Sequence, residues 1–415
     1  MQITKNQHYV PRFYMKHFSA IVNIGTRKEK ALISFYQFKD SLFKDSVPTA
    51  SICSEDYFYD EDGTIENKLA EKEKKWSGVI YKINNDEILT RSEIDDIREF
   101  AIYQLMRTKA ILGHTHEIAK TILTETLDNQ NDSLNESIKE LIGEKVEKEI
   151  TPEYNLELVK DCLPLVHDLT MKVVNNKTDV SFITSDVPVI VINPLGIERA
   201  GLGDIGTVIF FPVSQKKMVI FYDSKLYGNL KTEIQDLECI NAFNKYQYIS
   251  ADERILALNS GEFHKLVEDS QLKNFREKFH DSRKATTNYD GNSKVVATKS
   301  RSIGYYFNIP ILKLPKQLRK IPQDFRETFP RNYEFKTRRA LLCRIYREPD
   351  FIKNELLQAH WKQGQYYSKI LLEYLDYYWD TPAKDRIITG EFMRQLKSVP
   401  VKSFLSDEWC INHKR

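Results

Sequence analysis

Hydrophobic residues recur at helical spacing in the first part of the chain. Over residues 66–83 they repeat at intervals of three, four and seven, which predicts an amphipathic helix. A second helix is predicted to begin at an N-cap, either Thr90 or Ser92, and to run to about Leu112, where Gly113 is placed to end it. Two long helices are therefore predicted before residue 120.

Further along the chain the pattern changes to alternation. Residues 31–38 and several stretches between 171 and 222 have the spacing of strands, and the latter are most simply antiparallel strands of one sheet. A helix is predicted over 231–246, a short strand over 246–250 and a long aromatic helix over 351–379. This order is typical of an α+β protein, with N-terminal helices, a central, mainly antiparallel sheet and a helical, aromatic- and basic-rich C-terminal region.

Composition places the chain among ordinary globular proteins. It has 415 residues, 41% of them hydrophobic and 29% charged, a length that suits two domains or one elaborated domain. The opening residues lack the apolar stretch of a signal peptide, and no apolar run approaches the roughly 20 residues of a membrane helix. The five cysteines are dispersed and form no CxxC pair, which fits reduced thiols. We therefore expect a cytoplasmic protein that does not associate with membranes.

The formal net charge of +2 hides an uneven distribution of charge. Residues 271–347 hold 19 Lys and Arg against 6 Asp and Glu, a net charge of +13, so the remainder of the chain carries −11. A basic segment beside an acidic body is expected of a protein that binds nucleic acid. The alternative is that basic and acidic faces pack together or remain solvated, since the charges do not form one run.

Four short motifs stand out along the chain. They are HYVPRFYMKHF at 8–18, FITSDVPV at 182–189, FFPVS at 210–214 and INAFN at 240–244. Together they resemble an uncharacterised, mostly bacterial family of unknown function, whose members open with HYVPRFYLRNF and carry an ITSDNPV motif. The resemblance covers about residues 6–255, although Val187 stands where the family usually has Asn. It implies a family core over 1–255, followed by a basic and then helical region over 256–415, and it implies no established reaction.

The opening motif brings together groups that suit acid–base and phosphate chemistry. His8 can transfer protons near neutral pH, Arg12 can bind a phosphate through two hydrogen bonds, and Tyr14 is a candidate substrate contact. Pro11 disfavours a regular helix through the motif. The alternative is an N-terminal strand docked on the body, with His8 hydrogen-bonded and Arg12 in an ion pair.

The second motif places a carboxylate after an apolar strand. Asp186 follows the apolar pair at 182–183, and Pro188 fixes the exit of the chain. Asp186 is therefore a candidate catalytic residue, and Ser185 is a candidate substrate contact. The alternative is a Ser-Asp pair that caps a turn.

Polar residues on apolar helix faces complete the candidate site. Gln104 and Arg107 lie on or beside the apolar stripe of the second predicted helix, and Glu66 and Glu73 flank that of the first. Burial of such groups is unfavourable without partners. A pocket lined by Glu66, Gln104 and Arg107 explains this placement, and Asn244 of the INAFN motif is a further candidate. A Glu–Arg ion pair between the helices explains it nearly as well.

Two functions are consistent with these residues. In the first, a nuclease-like phosphodiester hydrolase, His8 is the general acid or base while Arg12 and Arg107 stabilise charge on the phosphate. Asp186 orients His8 or binds a divalent cation, Mg²⁺ or Mn²⁺, with Glu66 as the second carboxylate. The basic segment then follows the nucleic-acid backbone. In the second, the same residues form a non-catalytic binding or sensing module for an anionic ligand or a partner.

Overall fold

The structure is a computed structural model that describes part of the chain. The described residues are 4–128, 136–194, 201–204, 206–282, 286–290, 293–297, 303 and 306–313. Most of the region predicted over 256–415, including the aromatic helix predicted at 351–379, lies outside these residues. The division between 1–255 and 256–415 therefore stays a prediction.

Helices and strands are mixed along the described residues. The helices are α1 (Arg12–Met15), α2 (Thr64–Asn84), α3 (Arg91–Met106), α4 (Lys109–Asp128), α5 (Glu136–Glu149), α6 (Pro152–Glu157), α7 (Val159–Cys162), α8 (Ser224–Tyr227), α9 (Leu237–Ser250), α10 (His264–Glu268) and α11 (Ser270–Ser282). The strands are β1 (Asn6–His8), β2 (Ala20–Val22), β3 (Lys30–Gln37), β4 (Leu42–Pro48), β5 (Ser54–Asp56), β6 (Thr170–Asn176), β7 (Thr184–Ser185), β8 (Ile190–Ile192), β9 (Val208–Pro212), β10 (Lys217–Tyr222), β11 (Glu233–Ile234), β12 (Arg254–Ala257), β13 (Thr286–Asp290) and β14 (Ser293–Ala297). The strands pair almost entirely antiparallel, so the predicted α+β class is confirmed.

The strands between 171 and 222 divide between two sheets, so the prediction of one sheet was wrong. The first sheet has the order β11-β6-β10-β9-β8, and only β11 runs parallel to its neighbour within it. The second has the order β2-β3-β12-β7, with β4 also paired to β3. The chain changes sheets directly after β7. Pro188 lies at this crossing, and without an N–H group it cannot continue a hydrogen-bonded ladder.

The first sheet is buried on both faces. Along β9, Ile209 and Phe211 belong to a hydrophobic cluster with α2, α3 and the opening motif. Val208 and Phe210 point the other way, into a cluster formed largely with α9. Because helices cover both faces, the central strands are almost continuously apolar rather than strictly alternating.

The predicted helix limits need three corrections. The helix over 66–83 is confirmed as α2, and Thr90 is the N-cap of α3, with a capping box to Glu93. However, α3 ends at Met106, and Gly113 lies inside α4. The helix predicted over 231–246 is α9, which begins only at Leu237 and includes residues 246–250, so the following strand is β12. Among the described residues, no helix is both long and apolar enough to cross a membrane.

Candidate functional site

The opening motif begins at the last residue of β1 and continues through α1. β1 pairs antiparallel with β5, which docks the motif on the body as the structural alternative proposed. Pro11, in extended conformation, precedes the single turn of α1, so it starts a helix rather than interrupting one. Tyr9, Val10 and Tyr14 are fully buried around it. The motif is therefore part of the core, and only some of its polar groups remain near the surface.

Arg107 lies at the break between α3 and α4 and reaches the opening motif. Its Nη2 donates to the main-chain oxygen of His8 at 2.8 Å and forms an ion pair with Glu73 at 2.8 Å. Its Nε donates to the Tyr59 hydroxyl at 2.9 Å. The side chain is 1% exposed, and Nη1 has no hydrogen-bond partner. The interhelical Glu–Arg ion pair that was the alternative to a pocket is thus present, and Glu73 forms it.

Glu66 lies in the same cluster, in the first turn of α2. The pKa of its carboxyl is raised to about 7, first by burial and then by the charge of Glu73, while Arg107 opposes the shift. The carboxyl is therefore a mixture of protonated and ionised forms near neutral pH. We call Arg107, Tyr59, Glu73 and Glu66 the Arg107 cluster. It contains two of the three residues of the predicted pocket.

Gln104, the third pocket residue, lies one turn before Arg107 and contacts the next main-chain carbonyl of the motif. Its Nε2 donates to the main-chain oxygen of Tyr9 at 2.9 Å, and its Oε1 has no partner. The side chain is completely buried. Gln104 and Arg107 therefore bind the main-chain oxygens of two consecutive residues, at the end of β1 and directly after it. Each of the two side chains also keeps one polar atom without a hydrogen-bond partner.

His8, the first residue of the motif, is neutral at physiological pH. Its pKa is lowered to about 4, first by burial and then by the nearby positive charge of Arg12, while hydrogen bonds to the main chain of Thr49 and Ala50 act in the opposite direction. Its Nε2 is buried and has no partner. Arg12 itself is exposed, and no ion pair is present for it among the described residues. A neutral imidazole is a weak base and a hydrogen-bonding group, not an acid, at neutral pH.

Gln7 is a residue of this region that sequence reasoning missed. It is completely buried, and its Nε2 donates to the main-chain oxygen of Asp60 at 2.7 Å. Its Oε1 accepts from the main-chain N–H of Tyr59 at 2.6 Å. Gln7 thus fixes the loop that supplies Tyr59 to Arg107 and Asp60 to the start of α2. Its only sequence signal is its place directly before the motif.

Asp186 lies apart from this cluster. Its carboxylate accepts the main-chain N–H groups of Asp252 at 3.0 Å, Glu253 at 2.6 Å and Arg254 at 3.2 Å. We call this arrangement the Asp186 cap. No hydrogen bond or ion pair joins Asp186 to His8 within the described part of the chain, so the predicted orientation of His8 by Asp186 has no support.

The Asp186 carboxyl is nevertheless strongly perturbed. Burial and the charge of Asp252 raise its pKa to about 7, while the N–H groups that it accepts lower it. Both oxygens are occupied by the main chain at the start of β12. The turn-capping alternative therefore describes its geometry, although the capped turn lies 66 residues further along the chain.

The remaining candidate substrate contacts bind other parts of the protein. Ser185 donates to Gln247 Oε1 at 2.9 Å and accepts the N–H of Val187 at 3.0 Å. Asn244 donates to the Ser181 oxygen at 2.8 Å and accepts the N–H of Ile183 at 3.1 Å. These bonds attach the second motif to α9.

Tyr14 links the opening motif to the second and third motifs. Its hydroxyl donates to the Pro212 oxygen at 2.7 Å and lies 2.7 Å from the Thr184 hydroxyl. The ring is completely buried and stacks on Phe211. Like Ser185 and Asn244, it has its polar group bound within the protein.

Metal-binding and nucleic-acid-binding residues are the least supported part of the prediction. Within the described ranges, no group of three or more His, Cys, Asp or Glu side chains could hold a metal ion. Residues 314–347 of the basic segment lie outside the described residues. Within α11, Arg276 points inward, where it lies 3.7 Å from the Phe38 ring and donates to the oxygens of Ala251 and Asp252.

Comparison with known proteins gives a family and no function. A protein-family model described as "Protein of unknown function (DUF4238)" matches residues 6–261. No curated protein and no solved structure matches the chain significantly. The family match includes the opening motif, the second motif and α9, in agreement with the resemblance found in the sequence. Because it extends over more than half of the chain, this protein belongs to the DUF4238 family.

Proposed function

We propose that this protein is a phosphodiester hydrolase whose site is the Arg107 cluster. The observation that carries the proposal is the pairing of two groups: Glu66, with a pKa raised to about 7, and the buried Arg107 guanidinium, with Nη1 unpartnered. A carboxyl that titrates near neutral pH suits general acid–base catalysis. A buried, preoriented guanidinium suits stabilisation of negative charge.

The chemistry assigns a separate task to each group. Ionised Glu66 accepts a proton from water while the water oxygen forms a bond to phosphorus. The ester P–O bond breaks, and the departing oxygen keeps the electron pair and is protonated from solvent. Arg107 and the exposed Arg12 stabilise charge on the non-bridging oxygens.

Nucleic acid remains the proposed substrate. Its support is the charge of the sequence, in which residues 271–347 are strongly basic. Binding through such a segment weakens as salt concentration rises, because counterions are released from the phosphates. The proposal assigns no site to Mg²⁺ or Mn²⁺, and the cleavage assay tests whether either cation is required.

The test is a cleavage assay with the full chain. Single- and double-stranded DNA and RNA are incubated with Mg²⁺, Mn²⁺ or EDTA, and products are separated by denaturing gel electrophoresis. Glu66→Gln should lower the rate about 100-fold, the usual scale for loss of a general acid–base group. Glu71→Gln, a matched change on the exposed side of α2, should leave the rate unchanged.

The pH dependence separates a catalytic from a structural role. Since ionised Glu66 is the base, the rate should rise as pH passes through about 7 and then level off. Equal rates for wild type and Glu66→Gln, with both proteins folded, would exclude this site. So would the absence of cleavage in every condition.

A second function is favoured by a different observation. The polar atoms of Tyr14, Ser185 and Asn244 are hydrogen-bonded within the protein, which is expected of a rigid scaffold rather than of substrate contacts. In this alternative the Arg107 cluster binds an anionic ligand without reaction. Binding without cleavage, lost in Arg107→Lys because Lys cannot replace the forked contacts, would support it.

A further inference from the structure

A cavity of about 390 Å³ lies between α9 and residues 306–308. One wall is a single face of α9 that includes Glu238, Asn241 and Lys245. The other wall carries two aromatic side chains, Tyr306 and Phe307. The volume is within the range of small-molecule sites, and the cavity shares no residue with the Arg107 cluster.

The aromatic wall is held in place by the protein itself. The hydroxyl of buried Tyr246 accepts the main-chain N–H groups of Tyr306 and Phe307, each at 3.1 Å. It also lies 3.2 Å from the Phe307 oxygen, to which it donates. On the other side, Phe275 stacks on Tyr306 with ring centroids 4.4 Å apart and an angle of 12°. A wall that is already ordered reduces the entropy lost when a ligand binds.

Lys245 supplies a positive charge beside this wall. Its Nζ lies 5.0 Å from the centre of the Phe307 ring, and among the described residues no carboxylate forms an ion pair with it. A half-buried ammonium group without a carboxylate partner is suited to an anionic group of a ligand. The neighbouring Tyr306 ring suits a planar aromatic group, which can stack on its face.

The opposite end of the cavity carries a hydrogen-bond acceptor. Glu238 precedes Lys245 by seven residues, about 10 Å along the helix axis. Its carboxylate can accept hydrogen bonds from N–H groups at the edge of a ring or from sugar hydroxyls. The acceptor and the cation are thus separated by about the length of a nucleotide on α9, and the aromatic wall faces this helix.

From these features we propose that the cavity binds a nucleoside monophosphate. The base stacks on Tyr306 with its edge toward Phe307, whose ring is inclined by 69° to that of Tyr306. The phosphate binds Lys245, and Glu238 accepts from the base edge or the sugar. This site does not rest on the hydrolytic role of the Arg107 cluster. The same chemistry is offered by a free nucleotide and by the phosphorylated end of a strand.

The test is isothermal titration calorimetry of the full chain with AMP, GMP and the corresponding nucleosides. Lys245→Ala should weaken binding of the nucleotides at least tenfold and change binding of the nucleosides less than twofold. Tyr306→Leu should weaken both ligands, because it removes stacking. Lys278→Ala, which removes an exposed lysine of α11, should leave every affinity unchanged.

Two further measurements identify the source of the ligand and separate the nucleotide site from the proposed hydrolytic site. A 5′-phosphorylated pentanucleotide that binds as tightly as the mononucleotide would identify a strand end, and much weaker binding would identify a free nucleotide. Glu66→Gln should bind nucleotides like wild type, whether or not it cleaves nucleic acid. No heat of binding for either nucleotide, or equal affinities of wild type and folded Lys245→Ala, would overturn the proposal.

Discussion

The Arg107 cluster and the Asp186 cap each contain a buried ionisable side chain that is hydrogen-bonded to the main chain. They differ in whether all the polar atoms of that side chain have partners. Asp186 accepts three main-chain N–H groups through its two oxygens. Arg107 donates to one main-chain oxygen, Tyr59 and Glu73, and keeps Nη1 without a partner. A carboxyl whose bonds are all internal serves the fold, whereas a buried guanidinium with an unpartnered N–H keeps a polar group that a ligand would satisfy.

The comparison also separates two carboxyl groups with similar pKa values. Both Asp186 and Glu66 titrate near pH 7 because burial disfavours their charged forms. Asp186 is 3% exposed and enclosed by the main chain, whereas Glu66 is only partly buried. A raised pKa alone therefore does not identify a catalytic group, and access to solvent decides between them.

The largest expected effect is on the Asp186 cap. Asp186→Ala removes the acceptor of three main-chain N–H groups and should lower the free energy of unfolding by about 2–5 kcal/mol. Urea denaturation at pH 8 measures this loss. Asp186→Asn, which keeps one oxygen acceptor, should lose less, and an unchanged midpoint for Asp186→Ala would contradict the structural role.

A somewhat smaller loss of stability is expected at Gln7, which supports the Arg107 cluster. Gln7→Ala leaves the buried N–H of Tyr59 without its partner and should destabilise the protein by about 1–3 kcal/mol. Because the same loop positions Tyr59 against Arg107, cleavage should fall more than the loss of folded protein explains. The rate per folded molecule, measured beside urea denaturation, checks both statements. A normal rate would leave Gln7 with a structural role only.

The pH dependence of stability distinguishes Glu66 from Asp186. Because folding raises the pKa of Glu66 to about 7, its protonated form stabilises the folded state below pH 4.5, and this stabilisation is lost as pH rises through 7. Allowing for solvent screening at a partly exposed group, the loss should be about 1–2 kcal/mol.

Glu66→Gln cannot titrate, so the difference in unfolding free energy between wild type and this variant should change by that amount between pH 5 and pH 8. Asp186 titrates in both proteins, and its contribution cancels. A difference that does not vary with pH would mean that Glu66 has an ordinary pKa, which would remove the main support for the hydrolytic proposal.

The smallest effect is expected at a position remote from both regions. Thr90→Ala removes the N-cap of α3 and should destabilise the protein by about 1 kcal/mol. The cap lies about 25 Å along the helix from Arg107, so the cleavage rate per folded molecule should not change. Thermal unfolding and the cleavage assay test this, and a lower rate would show that activity follows overall stability rather than the cluster.

The main helices and one strand pair were determined by local sequence. The apolar spacing over 66–83 gave α2 almost to the residue, and Thr90 with Glu93 gave the start of α3, because helix periodicity and caps depend on neighbouring residues. The pairing of β9 with β10 followed from two apolar runs around a short turn. Gln104 and Arg107 were also recognisable as polar residues on an apolar face.

Contacts between distant residues were decided by the tertiary structure. The partner of Arg107 is Glu73 rather than Glu66, and the N–H groups bound by Asp186 lie 66 to 68 residues away, which no local pattern encodes. The end of α3 at Met106 was likewise not predicted. Arg107, the residue that follows it, contacts the opening motif, which is distant in the sequence. The local pattern thus indicated some of the buried polar groups, Gln104 and Arg107 but not Gln7, while packing alone decided which of them are fully bound.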